Sequence, residues 1–152
     1  RPARTESDKI YKEDTTRVWV PLDTVVDVMV HNPTGMAHPM HLHGAQFYFL
    51  GTSGIDLPNS GMDPDTMKMR YTPPQEEPAM MNYDAPVVKD TILVPPGGWS
   101  KFRVNFNNAG SWAFHCHIEY HLARGMFTLF EVGYPDEWPH PPAFNPSACP
   151  VA

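Results

Sequence analysis

The chain has 152 residues, of which 41% are hydrophobic and 18% are charged, and its formal net charge is −6. This length and composition predict one globular domain and exclude a disordered chain. An acidic chain without a cluster of lysines and arginines gives no indication of nucleic-acid binding, and no stretch approaches the roughly 18 apolar residues of a membrane span.

The first part of the chain predicts an arm followed by a strand. Residues 1–16 are polar and charged, so we interpret them as a linker or extended N-terminal arm. Since the chain begins with Arg1 rather than Met and shows no signal peptide, we expect a processed product or a fragment. Residues 17–32 are rich in β-branched side chains in rough alternation and predict a strand that Pro21 interrupts.

The middle of the chain predicts more irregular structure. Residues 31–44, HNPTGMAHPMHLHG, carry turn residues at both ends and predict a loop that leads into a short aromatic strand over 45–51. Residues 52–88 predict an irregular segment with a possible short helix around 64–70. Within 62–81 lie five methionines, which could form a soft-metal patch for Cu(I), although we favour flexible packing against a neighbour. They are Met62, Met67, Met69, Met80 and Met81.

The last part of the chain predicts several strands. Residues 89–94 and 99–106 predict a hairpin-like pair around a Pro-Pro-Gly-Gly turn. The segment SWAFHCH predicts a strand, IEYHLARG one or two helical turns, and MFTLFEVG a final strand. Residues 134–152 are rich in proline and predict a surface tail. Short strands between Gly/Pro turns, with almost no helix, predict an all-β fold, an antiparallel β-sandwich.

Two short motifs, HPMHLHG and HCHIEYHLARGM, hold six of the eight histidines. Neighbouring side chains of an extended strand point to opposite faces, so His115 and His117 would lie on one face and Cys116 on the other. Cys116 then faces the side that His121 and Met126 approach after the chain turns. One cysteine, two histidines and a distant methionine match the ligand set of a blue-copper site.

The first motif supplies the missing ligands. His38 is the natural second histidine of the blue-copper set, because a proline separates it from the rest of its motif. The four other motif histidines would form half of a shell around a second metal centre: His41, His43, His115 and His117. Imidazole alone suits copper, zinc, iron or nickel, but a structural zinc site needs only four ligands and this set is larger and includes Met. We interpret His31 and His140 as non-ligands.

The two motifs closely resemble the C-terminal copper motifs of the multicopper oxidases, and specifically those of the C-terminal cupredoxin domain of laccase-type enzymes. Residues 84–112, which lie between them, resemble the animal-type laccases. The resemblance covers about residues 17–133. It implies a cupredoxin-like Greek-key sandwich over this range, with a short helical turn after the HCH motif and with copper as the cofactor.

The resemblance also implies a role for each motif residue. His38, Cys116 and His121 would bind the type 1 copper with Met126 as axial ligand, His41 would bind the type 2 copper, and His43, His115 and His117 would bind the paired type 3 coppers. Electrons from a small aromatic reductant, a phenol or an aromatic amine, would pass from the type 1 copper through Cys116 and its flanking histidines to the trinuclear cluster, where O₂ is reduced to water. Met126 implies a lower type 1 potential than an apolar axial residue would give.

One departure from the family pattern bears on the partners. A complete family member supplies four further histidines from two HxH motifs in its N-terminal domain, and this chain has no other HxH. We therefore expect N-terminal cupredoxin domains, on another chain or a cleaved fragment, to be needed for activity. Cys149 would have no partner within the chain. In relatives a cysteine near the C-terminus can bond the first domain, so we predict a disulfide to the partner and a secreted protein.

Alternatives remain at this point. A metallo-oxidase acting on Cu(I) or Fe(II) has only the methionine-rich segment in its favour. An electron-transfer cupredoxin without oxidase activity would need only the type 1 ligands and would leave the other four histidines without a task. Asp90 could steer protons or hydrogen-bond a ligand histidine, or it could simply end a strand. Glu119 lies beside the ligands but could face solvent.

Overall fold

A computed structural model describes residues 16–61, 63–65, 70–74 and 81–139. The described residues form nine strands and one short helix. These are β1 (Arg17–Val20), β2 (Thr24–Asn32), β3 (His38–Leu42), β4 (Phe47–Thr52), β5 (Val87–Lys89), β6 (Thr91–Val94), β7 (Gly98–Phe106), β8 (Gly110–Cys116), α1 (Glu119–Ala123) and β9 (Phe127–Val132).

The strands form two sheets. One has five strands in the order β1-β9-β8-β3-β6, and the other has four in the order β2-β7-β4-β5. Every pairing is antiparallel except that of β1 with β9. The predicted all-β sandwich and the helical turn after the HCH motif are therefore confirmed.

Aromatic side chains fill the space between the sheets. Phe102 on β7 is fully buried and stacks against Phe47, with ring centroids 4.3 Å apart. It also contacts Phe114 of the opposite sheet at 5.8 Å, and Phe114 in turn contacts Phe130 at 5.9 Å. Such pairs stabilise a core beyond their burial of apolar area. This aromatic core supports the inner faces of β8 and β9.

The predicted break at Pro21 is confirmed, because β1 ends at Val20 and β2 begins at Thr24. The turn places the two strands in different sheets. Asp23 takes a left-handed conformation with φ of 59°, and its backbone N–H donates to the Phe106 carbonyl at 2.8 Å. The single strand predicted over 17–32 is thus two strands.

The loop predicted over 31–44 is wrong for its second half, because His38–Leu42 forms β3. This strand pairs with β6 on one side and β8 on the other, so its backbone groups find partners in a sheet. Met40 and Leu42 are buried in the core. Turn residues at the ends of the segment concealed this short alternation of apolar and polar side chains.

The predicted hairpin between 89–94 and 99–106 is also wrong in its pairing. Both strands exist, but β6 pairs with β3 and β7 pairs with β2 and β4 in the other sheet. The Pro95–Gly98 turn therefore carries the chain from one sheet to the other. Gly97 has φ of 63°, and a Cβ there would lie 1.8 Å from the Asp56 carbonyl oxygen, so the close approach of the 52–61 segment excludes any side chain.

Several predictions fall on parts of the chain outside the described residues. These are most of the predicted arm over 1–16, the tail beyond residue 139, and residues 66–69 of the short helix predicted around 64–70. The methionines other than Met81 in the 62–81 segment, His140 and Cys149 also lie there. Among the described residues, no helix has the length and apolar character needed to cross a bilayer.

Candidate metal centre

The two histidine motifs meet on neighbouring strands of the five-stranded sheet. β3 and β8 run antiparallel with Met40 opposite Cys116 and His41 opposite His115. β3 begins at His38 and β8 ends at Cys116, so both residues lie at the same end of the sheet. Because side chains alternate along a strand, this register separates the motif residues into two groups on opposite faces.

His38, Cys116 and His121 form the first group. The Cys116 Sγ lies 3.7 Å from His38 Nδ1 and 3.6 Å from His121 Nδ1, and the two nitrogens are 3.1 Å apart. With a metal ion about 2.0 Å from each imidazole nitrogen and about 2.3 Å from the thiolate sulfur, trigonal to tetrahedral angles separate nitrogen from sulfur by about 3.5–3.7 Å and the two nitrogens by about 3.3–3.5 Å. The three side chains could therefore hold one ion between them.

Two of the three side chains of this cluster are buried. Cys116 is fully buried and belongs to the hydrophobic core, and His38 is 5% exposed. Burial lowers the pKa of His38, and the nearby His121 lowers it further, which favours the neutral ring that a metal ligand needs. His121 is only half-buried. The one open side of the cluster is therefore at His121.

Backbone hydrogen bonds connect Met126 to two residues of this cluster. After α1 the chain turns at Gly125, whose φ is 92°, and the Met126 N–H donates to the His121 carbonyl at 3.0 Å. The Met126 carbonyl accepts a hydrogen bond from the Cys116 N–H at 3.1 Å. The half-buried side chain packs against the core cluster. The segment that contains His121 is thus held to Cys116 at both of its ends.

The second group is made of the other four motif histidines. The rings of His41 and His43 lie 4.8 Å apart, and those of His43 and His115 lie 5.1 Å apart. His115 and His117 stack at 5.8 Å, and each lies 5.8 Å from His41. His115 is buried, His41 is half-buried, and His43 and His117 are exposed. The group forms an imidazole cluster with an open outer side.

Hydrogen bonds to carbonyls determine which ring nitrogens carry protons. His41 Nδ1 lies 3.0 Å from the Asp90 carbonyl and His115 Nδ1 lies 3.0 Å from the Cys116 carbonyl. A carbonyl only accepts, so both Nδ1 atoms are the donors and both Nε2 atoms carry free lone pairs. His115 Nε2 lies 3.0 Å from His43 Nε2. Burial lowers the pKa of His43, and its three histidine neighbours lower it further, which favours the neutral form of this ring.

Asp90 contacts His41 mainly through its backbone. Its carboxylate is 60% exposed and Oδ1 lies 4.0 Å from His41 Nδ1. The Thr91 hydroxyl lies 3.0 Å from His41 Nδ1 and donates to Asp90 Oδ1 at 3.0 Å. Sequence reasoning proposed the Asp90 side chain and missed the Asp90 carbonyl and Thr91. Thr91 lies opposite His41 in the β3–β6 pair, so it could be found only once the pairing of these strands was known.

The remaining candidate residues lie apart from both groups. Glu119 begins α1 and is exposed. His31 lies on β2 and its Nδ1 hydrogen-bonds to the Tyr71 hydroxyl, away from the other histidines. Sequence reasoning also missed Asn32 and Thr34, which it interpreted only as turn residues. Thr34 Oγ1 lies 2.7 Å from His38 Nε2, and Asn32 contacts Thr34 in turn.

A two-sheet sandwich that brings a buried cysteine and two histidines together at one end defines a copper protein of the cupredoxin class. A family model described as multicopper oxidase matches residues 1–136. The chain therefore belongs to the multicopper oxidase family, and copper is its cofactor.

Curated relatives agree with this assignment. The chain is 33% identical over 132 residues to putative laccase-9 of Oryza sativa subsp. japonica, covering 86% of this chain and 20% of that protein. It is 34% identical over 125 residues to laccase-1 of Melanocarpus albomyces, covering 82% and 19%. The chain thus spans about a fifth of the length of these relatives. They come from a plant and a fungus, so the resemblance to animal-type laccases stays a prediction.

A solved structure shows the same fold. The crystal structure of Fet3p, a multicopper oxidase that functions in iron import, is similar to this chain with a TM-score of 0.64 and 29% identity. The similarity covers 81% of this chain and 22% of that one. It confirms the predicted cupredoxin-like sandwich.

Proposed function

We propose that this chain provides the type 1 copper site and half of the trinuclear copper site of a laccase-like multicopper oxidase. The observation that carries this proposal is the position of Cys116 between His115 and His117. Cys116 faces His38 and His121, while its two neighbours belong to the imidazole cluster on the other side of β8. Two peptide units therefore join two ligand sets by a short covalent path.

In this proposal the first group binds the type 1 copper. His38, Cys116, His121 and Met126 would hold this copper. The ligand-atom distances of 3.1–3.7 Å among His38, Cys116 and His121 support this assignment, and their thiolate and imidazole donors suit copper. The hydrophobic core around Cys116 excludes water from the thiolate side. The half-buried His121 is where a reductant would meet the site.

The second group would form half of the trinuclear site, with His41 on the type 2 copper and with His43, His115 and His117 on the type 3 pair. The exposed rings of His43 and His117 support a site shared with a partner, because they leave the cluster open on its outer side. N-terminal cupredoxin domains of the same oxidase would supply the other histidines. A disulfide through Cys149 would tie them together, as expected for a secreted enzyme.

Copper bound in these sites would supply one-electron oxidation of the reductant and reduction of O₂. Four one-electron oxidations of a phenol or aromatic amine release four electrons and four protons, and these balance the conversion of one O₂ to two waters. The residues of this chain would hold the metals, keep the imidazoles neutral and keep water from Cys116. Asp90, at 4.0 Å from His41, is proposed to assist proton delivery from its exposed position.

One observation favours a second candidate, a metallo-oxidase that takes electrons from Fe(II) or Cu(I). The structurally similar Fet3p is a multicopper oxidase that functions in iron import. The same four type 1 residues would serve either reductant, so the two candidates differ in what docks at His121. An electron-transfer cupredoxin without oxidase activity is disfavoured, since it would leave the four-histidine cluster without a task.

O₂ consumption by the oxidase assembly that contains this chain tests the proposal. With a phenol, Fe(II) and Cu(I) supplied in turn, the fastest reductant identifies the enzyme type. We expect His117→Ala to abolish O₂ consumption and to keep the blue colour of the type 1 site. His31→Ala is the matched control, because His31 lies outside both clusters. An assembly that binds one copper per copy and consumes no O₂ would contradict the oxidase proposal.

A further inference from the structure

Between β2 and β3, two side chains connect the body of the sandwich to His38. Asn32 is the last residue of β2 and is 2% exposed, and Thr34 follows it in the connecting loop. The Thr34 hydroxyl oxygen lies 2.6 Å from Asn32 Oδ1 and 2.7 Å from His38 Nε2. The three side chains therefore form a continuous hydrogen-bonded row that ends on the first proposed copper ligand.

The orientation of the Asn32 amide is set by its surroundings. Its Nδ2 lies 2.7 Å from the Met36 carbonyl, 3.2 Å from that of Val94 and 3.1 Å from that of Pro95. Carbonyls only accept, so the NH₂ group must face them. The Oδ1 atom then faces Thr34, whose backbone N–H donates to it at 2.9 Å. No flipped amide satisfies these contacts.

The orientation of the Asn32 amide determines the direction of the hydrogen bonds between Asn32 and Thr34 and between Thr34 and His38. The Thr34 hydroxyl has one proton, and its two nearby acceptors are Asn32 Oδ1 at 2.6 Å and the Met36 carbonyl at 3.1 Å. An oxygen pair at 2.6 Å without a proton between them would be repulsive, so the proton lies towards Asn32. The hydroxyl oxygen must then accept from His38, which makes Nε2 the protonated nitrogen of that ring.

We propose that Asn32 and Thr34 are positioning residues that hold His38 as its Nε2–H tautomer, so that the Nδ1 lone pair faces Cys116 and His121. This inference rests on the proposed type 1 site. In the other tautomer, an Nδ1–H would donate to His121 Nδ1, 3.1 Å away, and would occupy the position of the metal. A hydrogen bond from the opposite ring nitrogen also raises the basicity of a ligand imidazole.

The row also links the site to the fold. Asn32 belongs to the four-stranded sheet, whereas Val94 ends β6 in the other sheet. The loop is fixed further by the Gly97 N–H, which donates to the Thr34 carbonyl at 3.2 Å, and by the Gly61 N–H, which donates to the Pro33 carbonyl at 2.7 Å. The orientation of the buried His38 ring is therefore determined before metal binds.

Nitrogen-15 NMR of the metal-free wild-type chain tests the tautomer without any substitution. We expect long-range ¹H–¹⁵N correlations to show a protonated Nε2 and an unprotonated Nδ1 for His38. A protonated Nδ1 would overturn the proposal. This measurement does not depend on copper, so its outcome is independent of the proposed enzymatic function.

Two substitutions test the consequence for the metal. Thr34→Val removes the hydroxyl at nearly constant volume, and Thr34→Ser keeps it. We expect Thr34→Val to weaken Cu(II) binding about 10- to 100-fold, as the loss of an outer hydrogen bond to a ligand histidine does, and to raise the reduction potential. Each tenfold loss of Cu(II) affinity relative to Cu(I) raises a one-electron potential by about 59 mV. Thr34→Ser should restore both values.

Thr52→Val is the control, because the Thr52 hydroxyl donates to the Trp99 carbonyl at 2.9 Å and contacts none of the clustered histidines. It should lower stability without changing the Cu(II) affinity or the potential. If Thr34→Val binds Cu(II) with unchanged affinity and potential while the wild type forms a blue site, the positioning role is wrong. If the wild type itself forms no blue site, the proposed type 1 site has failed instead.

Discussion

Gly44 immediately follows the ligand candidate His43, and its replacement by alanine tests how the second cluster is held. Gly44 has φ of 72°, where a residue with a Cβ costs about 1–2 kcal/mol. A Cβ there would also lie 2.1 Å from the Trp112 ring. Trp112 cannot simply swing away, because its Nε1 donates to the Asn108 carbonyl at 2.8 Å and Asn108 Nδ2 donates to the Gly44 carbonyl at 2.9 Å.

Overpacking of a filled site adds about 1–3 kcal/mol to the cost of the backbone conformation. We therefore expect Gly44→Ala to lower the free energy of unfolding by roughly 2–5 kcal/mol in urea denaturation. The displaced chain should also separate His43 from His115 and weaken copper binding at the second cluster. The blue type 1 site, on the other side of β8, should keep its spectrum.

Two other glycines separate the causes. Gly61 has φ of 75°, and among the described residues no atom lies within 4 Å of an added Cβ, so Gly61→Ala reports mainly the backbone cost. At Gly54 the backbone is not left-handed, and among the described residues no atom lies within 4 Å of an added Cβ, so Gly54→Ala should leave the free energy of unfolding nearly unchanged. A loss for Gly44→Ala no larger than that for Gly61→Ala would refute the close packing of Trp112 on the His43 segment.

Three further predictions follow from single side chains. Met126→Leu should raise the type 1 potential in a redox titration, since the axial thioether stabilises Cu(II), and an unchanged potential would show that Met126 does not bind copper. Phe102→Ala should cost about 3–5 kcal/mol in urea denaturation, because its fully buried ring contacts both sheets. The hydrogen bond from Arg103 lowers the pKa of Asp27 in the folded protein below its ordinary value of 3.8. The ionised carboxylate therefore stabilises the fold fully above pH 3.8, and this stabilisation is lost as the pH falls through the lower pKa of the folded state. Asp27→Asn should therefore lower the free energy of unfolding by about 1 kcal/mol at pH 7 and leave it unchanged in strong acid. A loss of stability that is independent of pH would contradict the Asp27–Arg103 ion pair.

Much of the fold could be predicted because local patterns determine strands. The alternation in 17–32 and the break at Pro21 both appear in the structure. The pairing of strands could not be predicted in the same way. The turn between β6 and β7 has the composition of a hairpin turn, but the buried face of each strand fits a different sheet, and only tertiary packing decides between them.

The candidate ligands could be found from residue type and spacing, because a thiol between two imidazoles within a strand implies two faces. The hydrogen bonds that orient those ligands could not be found. The Asp90 carbonyl is distant from His41 in sequence and reaches it only when β3 and β6 pair, whereas Thr34 lies four residues before His38 in a loop whose conformation could not be predicted.

The central claim is that Cys116 is the thiolate ligand of a type 1 copper held with His38 and His121. Visible and electron paramagnetic resonance spectra of the copper-loaded chain, recorded beside those of Cys116→Ser, test it most directly. The wild type should show the intense blue absorption and the copper signal of a thiolate-bound type 1 site, and Cys116→Ser should lose both. A colourless copper-loaded wild type, or a Cys116→Ser variant that stays blue, would contradict the claim.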